Sequence, residues 1–316
     1  MKIPIVFAFD DNYALPASIA IKSLLDSKNE TTEYEVIVFH GGLKSTTIKK
    51  MEEICSIRWI KVTSDLLTSV PIGWSGIETY YRLLIADLLP EYDKVLWSDV
   101  DVLFKGDLTD VYAKDIQEAD WGGIIAEKQD ETNGIHPHYF ENKKPYIYMP
   151  GFMVVNTKLW RKKKIWNHFL DIIEKYGNNL KFFDLDILNL AADKIYSIPF
   201  EYCVLENIFD NEDITNAKEY LWLERAHGKE VLIKAKQKPV IIHYAGKSPK
   251  IWKRKYSEIP QYYWRYIENS PFYKKEQYFY TLNSTLKLIF LYVFIKLCPI
   301  KNWRKKLKQT IKDIKG

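Results

Sequence analysis

The chain has 316 residues, 47% hydrophobic and 28% charged. That composition excludes a disordered or fibrous protein and is enough for one large domain or two small ones with a sizeable core. The net charge of +5 is gathered at one end: seven Lys or Arg against the single Asp313 give the stretch from Pro299 onward +6, which leaves −1 on residues 1–298. A nucleic-acid binder spreads cations over a folded face, so nucleic acid is excluded as a partner, whereas a short cationic tail after an apolar stretch suits an anionic membrane surface.

The first apolar run, IPIVFAF (3–9), ends in Asp10-Asp11-Asn12. It is too short and too soon broken by acids for a signal peptide and reads as a buried parallel strand running into a loop. A helical pattern follows through Ile19, Ile21, Leu24 and Leu25, then a strand at 34–42 ending in a Gly turn, a helix at 44–55 and a strand at 57–64. Residues 76–89 are helical with Pro90 closing them, and KVLWSDVDVLF (94–104) reads as a strand with a break at Ser98. Strand–helix alternation of this kind means βαβ units and a parallel sheet, with ligands bound at the carboxyl ends of the strands. Asp10, Asp11, Asn12 and the Asp99/Asp101 pair all fall at such ends.

The second half is less regular. WGGIIAE (121–127) and GFMVVNT (151–157) read as strands joined by a polar, Pro-bearing loop, 157–176 as one long helix, and Asp184 as the cap of a helix over about 185–192. PVIIHYAG (239–246) is a last strand ending at His243, and a domain boundary falls near residue 255. Cys55, Cys203 and Cys298 have no paired spacing, which points away from zinc and disulfides and toward a reducing compartment. The sequons at Asn29 and Asn283 are therefore read as chance.

Asp99-Val100-Asp101 is the central candidate for chemistry. The Asp-x-Asp spacing occurs again at Asp184/Asp186, but only the first pair sits between apolar strands, Val95-Leu96-Trp97 and Val102-Leu103-Phe104. Alternate residues of an extended segment face one side, and two carboxylates on one side repel unless a cation joins them. Their hard oxygens favour Mg²⁺ or Mn²⁺, and an imidazole from His243 as third ligand would favour Mn²⁺. The same residues also describe an acidic turn solvated at a strand end and a hydrogen-bonded histidine at a strand terminus.

Six segments in order, AFDDNY (8–13), TYYRL (79–83), KVLWSDVDVLF (94–104), GFMVVNTKLWR (151–161), DLDILN (184–189) and HYAGKSPKIW (243–252), resemble glycosyltransferase family 8. The similarity is greatest to its bacterial lipopolysaccharide and lipooligosaccharide galactosyl- and glucosyltransferases. The resemblance spans residues 3–255. It implies an α/β GT-A fold, Rossmann-like and nucleotide-sugar-binding, with a UDP-hexose donor, Mn²⁺ (or Mg²⁺) and retention of anomeric configuration. Carried over by residue, Ala8, Asp10, Asn12 and Tyr13 would hold uracil and ribose. Arg82 would approach the donor phosphates and sugar. Asp99, Asp101 and His243 would bind the metal, with Asp101 also touching ribose. Gly246 and Lys250 would meet the diphosphate, Asp184 would accept from donor-sugar hydroxyls, and Glu127 would bind the acceptor. The sequence departs from the family's pattern at Leu185, where Gln is common, and at Met149-Pro150, where Asn-Ala is common before Gly151. One extra residue also separates His243 from Lys250, so Lys247 competes for the phosphate role.

Beyond this body, LIFLYVFI (288–295) spans only about 12 Å as a helix, short of the roughly 30 Å hydrocarbon core. With Trp303 and Arg304-Lys305-Lys306 beyond it, the segment reads as an interfacial anchor, the alternative being a terminal helix packed on the fold. The expectation is a GT-A catalytic domain over 1–255 and an aromatic, basic helical extension over 256–316. The expected activity is retaining hexosyl transfer (galactose or glucose) from a UDP-sugar to a glycan or glycolipid acceptor, in lipopolysaccharide or other surface-glycan synthesis, in the cytoplasm at the inner membrane face. The alternatives are a glycogenin-like self-glucosylating initiator and a nucleotide-sugar-binding protein without catalysis.

Overall fold

A computed structural model describes residues 2–63, 67, 68, 70, 71, 76–129, 144–246, 249–279, 303, 306 and 307. Lys247, Cys298 and the apolar run 288–295 lie outside them. The chain forms two compact units, Met1–Ala245 and Gly246–Gly316.

The first unit is built on a seven-stranded sheet. Its strands are β1 (Lys2–Ala8), β2 (Glu33–His40), β3 (Ile57–Lys61), β4 (Val95–Ser98), β6 (Trp121–Lys128), β7 (Tyr146–Val155) and β8 (Ile195–Ser197), ordered β3-β2-β1-β4-β7-β6-β8. Strands β1 to β4 are mutually parallel, and β7 alone runs antiparallel to both its neighbours. In β1, Ile3 to Phe7 are all buried, as an unbroken apolar run in a central parallel strand requires. A second sheet of three short strands, β5 (Val102–Phe104), β10 (Ile241–His243) and β9 (Val204–Leu205), lies in the order β5-β10-β9.

Helix α1 (Ala14–Ser27) buries Ala17, Ile19, Ala20, Ile21 and Leu24 and accepts Pro16 because that residue lies in its first turn, where no intrahelical N–H is needed. Helices α2 (Ser45–Glu52), α3 (Ile85–Leu88), α4 (Thr109–Tyr112), α5 (Thr157–Lys163), α6 (Ile165–Tyr176) and α7 (Asp184–Ala191) follow. The core joins Phe39, Trp97, Met153, Trp160 and Phe169, so sheet and α5–α6 share one apolar cluster.

The break expected within 94–104 is present and moves the chain between sheets: β4 belongs to the large sheet and β5 to the small one, and Asp99 to Asp101 form the bend that carries the chain between them. Three other sequence expectations change. The helix expected over 157–176 is two helices, broken at Lys164, whose left-handed backbone (φ 51°) ends α5 with its N–H on the Arg161 carbonyl. Helical periodicity continues on both sides of that residue, so the pattern conceals the break. Residues 76–84 begin as a 3₁₀ run, Ile77–Leu84, before α3. Finally, β7 starts at Tyr146 rather than Gly151, because its pairing with β6 continues past the Phe152–Ser98 pair where its pairing with β4 stops.

The second unit, among its described residues, is organised by aromatics. In the helix Gln261–Glu268, Trp264 meets Tyr256 and Tyr278 edge-on, at ring-centre distances of 4.8 and 5.1 Å. Tyr278, from the short helix Lys275–Tyr278, donates to the Trp252 carbonyl at 2.9 Å. Much of the chain's aromatic content here is core. Among the described residues no helix is long and apolar enough to cross a membrane.

Candidate active site

Three strand ends bring the acidic pair and the late histidine together. The Asp99 N–H donates to the Gly151 carbonyl at 2.8 Å, which continues the β4–β7 pairing one residue past Ser98 and Phe152. On the other side, β10 pairs with β5 so that His243 lies opposite Val102, and the Tyr244 N–H donates to the Asp101 carbonyl at 2.8 Å. One oxygen from each of Asp99 and Asp101 and one ring nitrogen of His243 therefore lie within 4.8 Å of one another. His243 Nε2 is 3.1 Å from Asp101 Oδ1 and 3.8 Å from Asp99 Oδ2. Burial opposes a charge on His243, but Cys203 and Asp101 beside it raise its pKa well above the ordinary imidazole value.

The surroundings fit a divalent cation. Asp99 Oδ1 is occupied by two donors, Arg82 Nη2 at 2.8 Å and Trp97 Nε1 at 3.3 Å, so Oδ2 is the oxygen on the His243 side. Gly151 forms the floor: a Cβ there would stand 2.6 Å from His243 Cε1, 3.0 Å from its Nδ1 and 3.3 Å from Asp99 Oδ2. Such contacts leave no room for any side chain, so Gly151 is required here for close approach. Two carboxylates and an imidazole supply two negative charges and one nitrogen, a set suited to Mn²⁺ and, less well, Mg²⁺.

Arg82, on the 3₁₀ run, is only 4% exposed. Its Nε lies 3.1 Å from Asp184 Oδ2 and donates to the Thr79 carbonyl at 3.0 Å, Nη1 donates to the Pro150 carbonyl at 2.6 Å, and the guanidinium stands over Trp97 at 4.9 Å. Asp184 opens α7. Burial is the largest influence on it and raises its carboxyl pKa to about 7, against the opposing pull of Arg82. The Asn189 side chain sets α7 against β7 by accepting from Tyr148 N–H at 2.8 Å and donating to its carbonyl at 2.9 Å. The second Asp-x-Asp is thus of a different kind, because Asp186 accepts from the Lys181 and Phe182 N–H groups and closes its own turn.

A cavity of about 670 Å³ opens past the carboxyl ends of β1, β2 and β3, lined by Phe9, Asp10, Gly41, Gly42, Leu43, Lys61, Val62, Thr63, Leu67, Ile77, Glu78 and Tyr81. Its wall includes Asp10, whose carboxylate also accepts from the N–H groups of Asn12 and Tyr13 and from the Asn12 amide. Tyr13 is 40% exposed. Gly41, Lys61, Glu78 and Tyr81 were not singled out from the sequence. Their signal was the rule that ligands bind beyond parallel strand ends, since Gly41 and Lys61 follow or close β2 and β3. Glu127 is buried on β6 and accepts from Gln129 Nε2 at 3.1 Å. Gly246, with φ 72°, and Lys250, whose Nζ stands 5.8 Å from the Trp252 ring centre, belong to the second unit. Cys203, whose spacing from the other cysteines pointed to neither zinc nor a disulfide, lies with its Sγ 3.3 Å from His243 Nδ1.

The family description "Glycosyl transferase family 8" matches residues 4–256. The chain belongs to that family. Among curated relatives it is 23% identical to General stress protein A of Bacillus subtilis over 261 residues, covering 77% of this chain and 85% of that one. It is 24% identical to the lipopolysaccharide 1,2-glucosyltransferase of Escherichia coli over 288 residues, covering 84% and 78%. Among solved structures, the galactosyltransferase LgtC in complex with donor and acceptor sugar analogs superposes with a TM-score of 0.65 at 22% identity, over 84% of this chain and 94% of that one. The fold is GT-A, and this family 8 member is a glycosyltransferase related to lipopolysaccharide glucosyl- and galactosyltransferases.

Proposed function

We propose that the chain transfers a hexose, galactose or glucose, from a UDP-sugar to a glycan or glycolipid acceptor with retention of configuration, in the synthesis of lipopolysaccharide or another surface glycan. The observation that carries this reading is the convergence of Asp99, Asp101 and His243 over the side-chain-free floor of Gly151. These residues would hold Mn²⁺ or Mg²⁺, which supplies charge stabilisation to a departing diphosphate.

The protein's own groups divide the remaining work. Asp10, Asn12, Tyr13 and Ala8 are assigned to the nucleoside, consistent with the cavity past β1 to β3. Gly246 and Lys250 are assigned to the diphosphate. Asp184 accepts from donor-sugar hydroxyls. Its carboxylate is held by Arg82, which supports a binding role over nucleophilic attack, so same-face attack through an oxocarbenium-like ion pair is the simpler retaining route. Arg82 holds Asp99 and Asp184 at a common spacing, and Glu127 is assigned to the acceptor. That the Escherichia coli relative is a lipopolysaccharide glucosyltransferase and LgtC a galactosyltransferase supports a hexose donor.

The test is release of UDP across a panel of UDP-hexoses, with and without EDTA, and the anomeric configuration of the product by NMR. One UDP-hexose turned over with retention, and lost in EDTA and in Asp101→Ala, is the expected result. Full activity in EDTA would exclude the metal assignment.

A further inference from the structure

His243 has two ring nitrogens, and a cation can take only one that carries a lone pair. The histidine sits in the middle strand of the small sheet, and each neighbouring strand reaches one nitrogen. From the β5 side Asp101 Oδ1 stands 3.1 Å from Nε2. From the β9 side Cys203, the residue just before Val204–Leu205, stands 3.3 Å from Nδ1. The pairings Ile242–Val204 and His243–Leu205 hold that approach in register. Between the two nitrogens Cε1 looks onto Gly151, where even a methyl would be 2.6 Å away. Cys203 and His243 are 1% and 6% exposed, so water does not readily replace the sulfur.

We propose that Cys203 is a positioning residue for the cation site: its sulfur accepts from His243 Nδ1–H, so that the Nε2 lone pair is the one presented to the space between Asp99 and Asp101. This rests on the cation reading given above. Ligating histidines generally donate their other N–H to an acceptor that sets ring orientation and tautomer. A half-turn of the ring would put carbon against both the sulfur and Asp101, losing both contacts, and Gly151 leaves no slack for an intermediate tilt.

The test uses the full chain and Mn²⁺ as the probe, with free Mn²⁺ read by EPR in the presence and absence of UDP, for the unaltered protein, Cys203→Ala and Cys203→Ser. Cys203→Ala is expected to weaken Mn²⁺ binding at least tenfold, the usual scale for loss of such a partner. Cys203→Ser, which keeps an acceptor, is expected to stay closer to the original. In the unaltered chain labelled with ¹⁵N-histidine and loaded with Mg²⁺, the His243 signals should be those of the Nδ1–H tautomer. That measurement needs no substitution and stands even if Cys203→Ala fails to fold. Unchanged Mn²⁺ affinity in a folded Cys203→Ala, or an Nε2–H ring in the Mg²⁺-loaded chain, overturns the role of Cys203 while leaving the cation site standing. No Mn²⁺ binding by the unaltered protein under either condition overturns the cation reading itself and this inference with it.

Discussion

Arg82 Nη2 donates to Asp99 Oδ1 at 2.8 Å, and the same guanidinium reaches Asp184 through Nε at 3.1 Å. One buried cation thus fixes the spacing between a carboxylate assigned to the metal and one assigned to the donor sugar. Removing it leaves two carboxylates facing each other without a counter-charge. Arg82→Ala is expected to cost stability near the lower end of the roughly 3–5 kcal/mol seen when one partner of a buried pair is deleted, because Asp99 is partly exposed. Arg82→Lys should recover part of that stability but little turnover, since an ammonium cannot span both carboxylates as a planar fork does. Denaturant unfolding beside UDP-release kinetics checks both. Full turnover in Arg82→Lys would show that charge alone is enough.

Gly151→Ala tests the floor of the site. The added methyl would meet His243 Cε1 at 2.6 Å and displace the ring from Asp99 and Asp101. A shift of about 1 Å at a catalytic constellation commonly costs about 100-fold in rate, and a loss of that order is expected in turnover, with weaker Mn²⁺ binding by EPR. Met149→Ala, two residues before Gly151, should retain binding and serves as the control.

In the metal-free chain the site takes up protons on folding. The folded pKa of Asp184 is raised from 3.8 to about 7, mainly by burial, and that of His243 is raised well above 6.5 by Cys203 and Asp101 against the opposing effect of burial. Both groups bind more protons folded than unfolded. Their contribution to stability is therefore full below the unfolded pKa values and is lost as pH rises through the folded ones. For Asp184 the window is pH 4 to 7, and for His243 it begins at 6.5 and extends upward. Melting temperature without metal is expected to be higher at pH 6 than at pH 8.5 from these groups, and added Mn²⁺ should raise it more at the higher pH. Binding of Mn²⁺ must displace the His243 proton, so affinity should fall with falling pH and protons should be released. Calorimetry in buffers of different ionisation enthalpy measures that release.

Deleting residues 282–316 tests the membrane assignment. Burial of LIFLYVFI contributes about 25 cal/mol per Å² of apolar area, and each nearby Lys or Arg adds about 1 kcal/mol at an anionic surface. The full chain is expected to co-sediment with vesicles containing an anionic lipid and to be released by salt. The truncated chain should remain soluble and keep turnover of a soluble acceptor. Aggregation of the truncated chain would instead identify the segment as part of the fold.

Much of the architecture was legible because it is written locally. The unbroken apolar runs of β1 and β2, each followed by helical periodicity, were enough for a parallel sheet with a site at its carboxyl edge, and the spaced motifs around Asp99, Asp184 and His243 carried the family. Hydrophobic period reports which element a segment prefers, since each residue answers only to the face it must bury. It does not report which strand lies beside which. That His243 should stand opposite Val102 and therefore beside Asp101, 142 positions away, follows from the register of a three-residue strand held on both sides. The bend that moves Asp99–Asp101 between sheets, the grip of Arg82 on Asp184 and the sulfur of Cys203 behind His243 have the same origin. Each is a contact between segments far apart in the chain, chosen by how the packed sheets satisfy buried hydrogen bonds and charges together, and only the tertiary structure decides it.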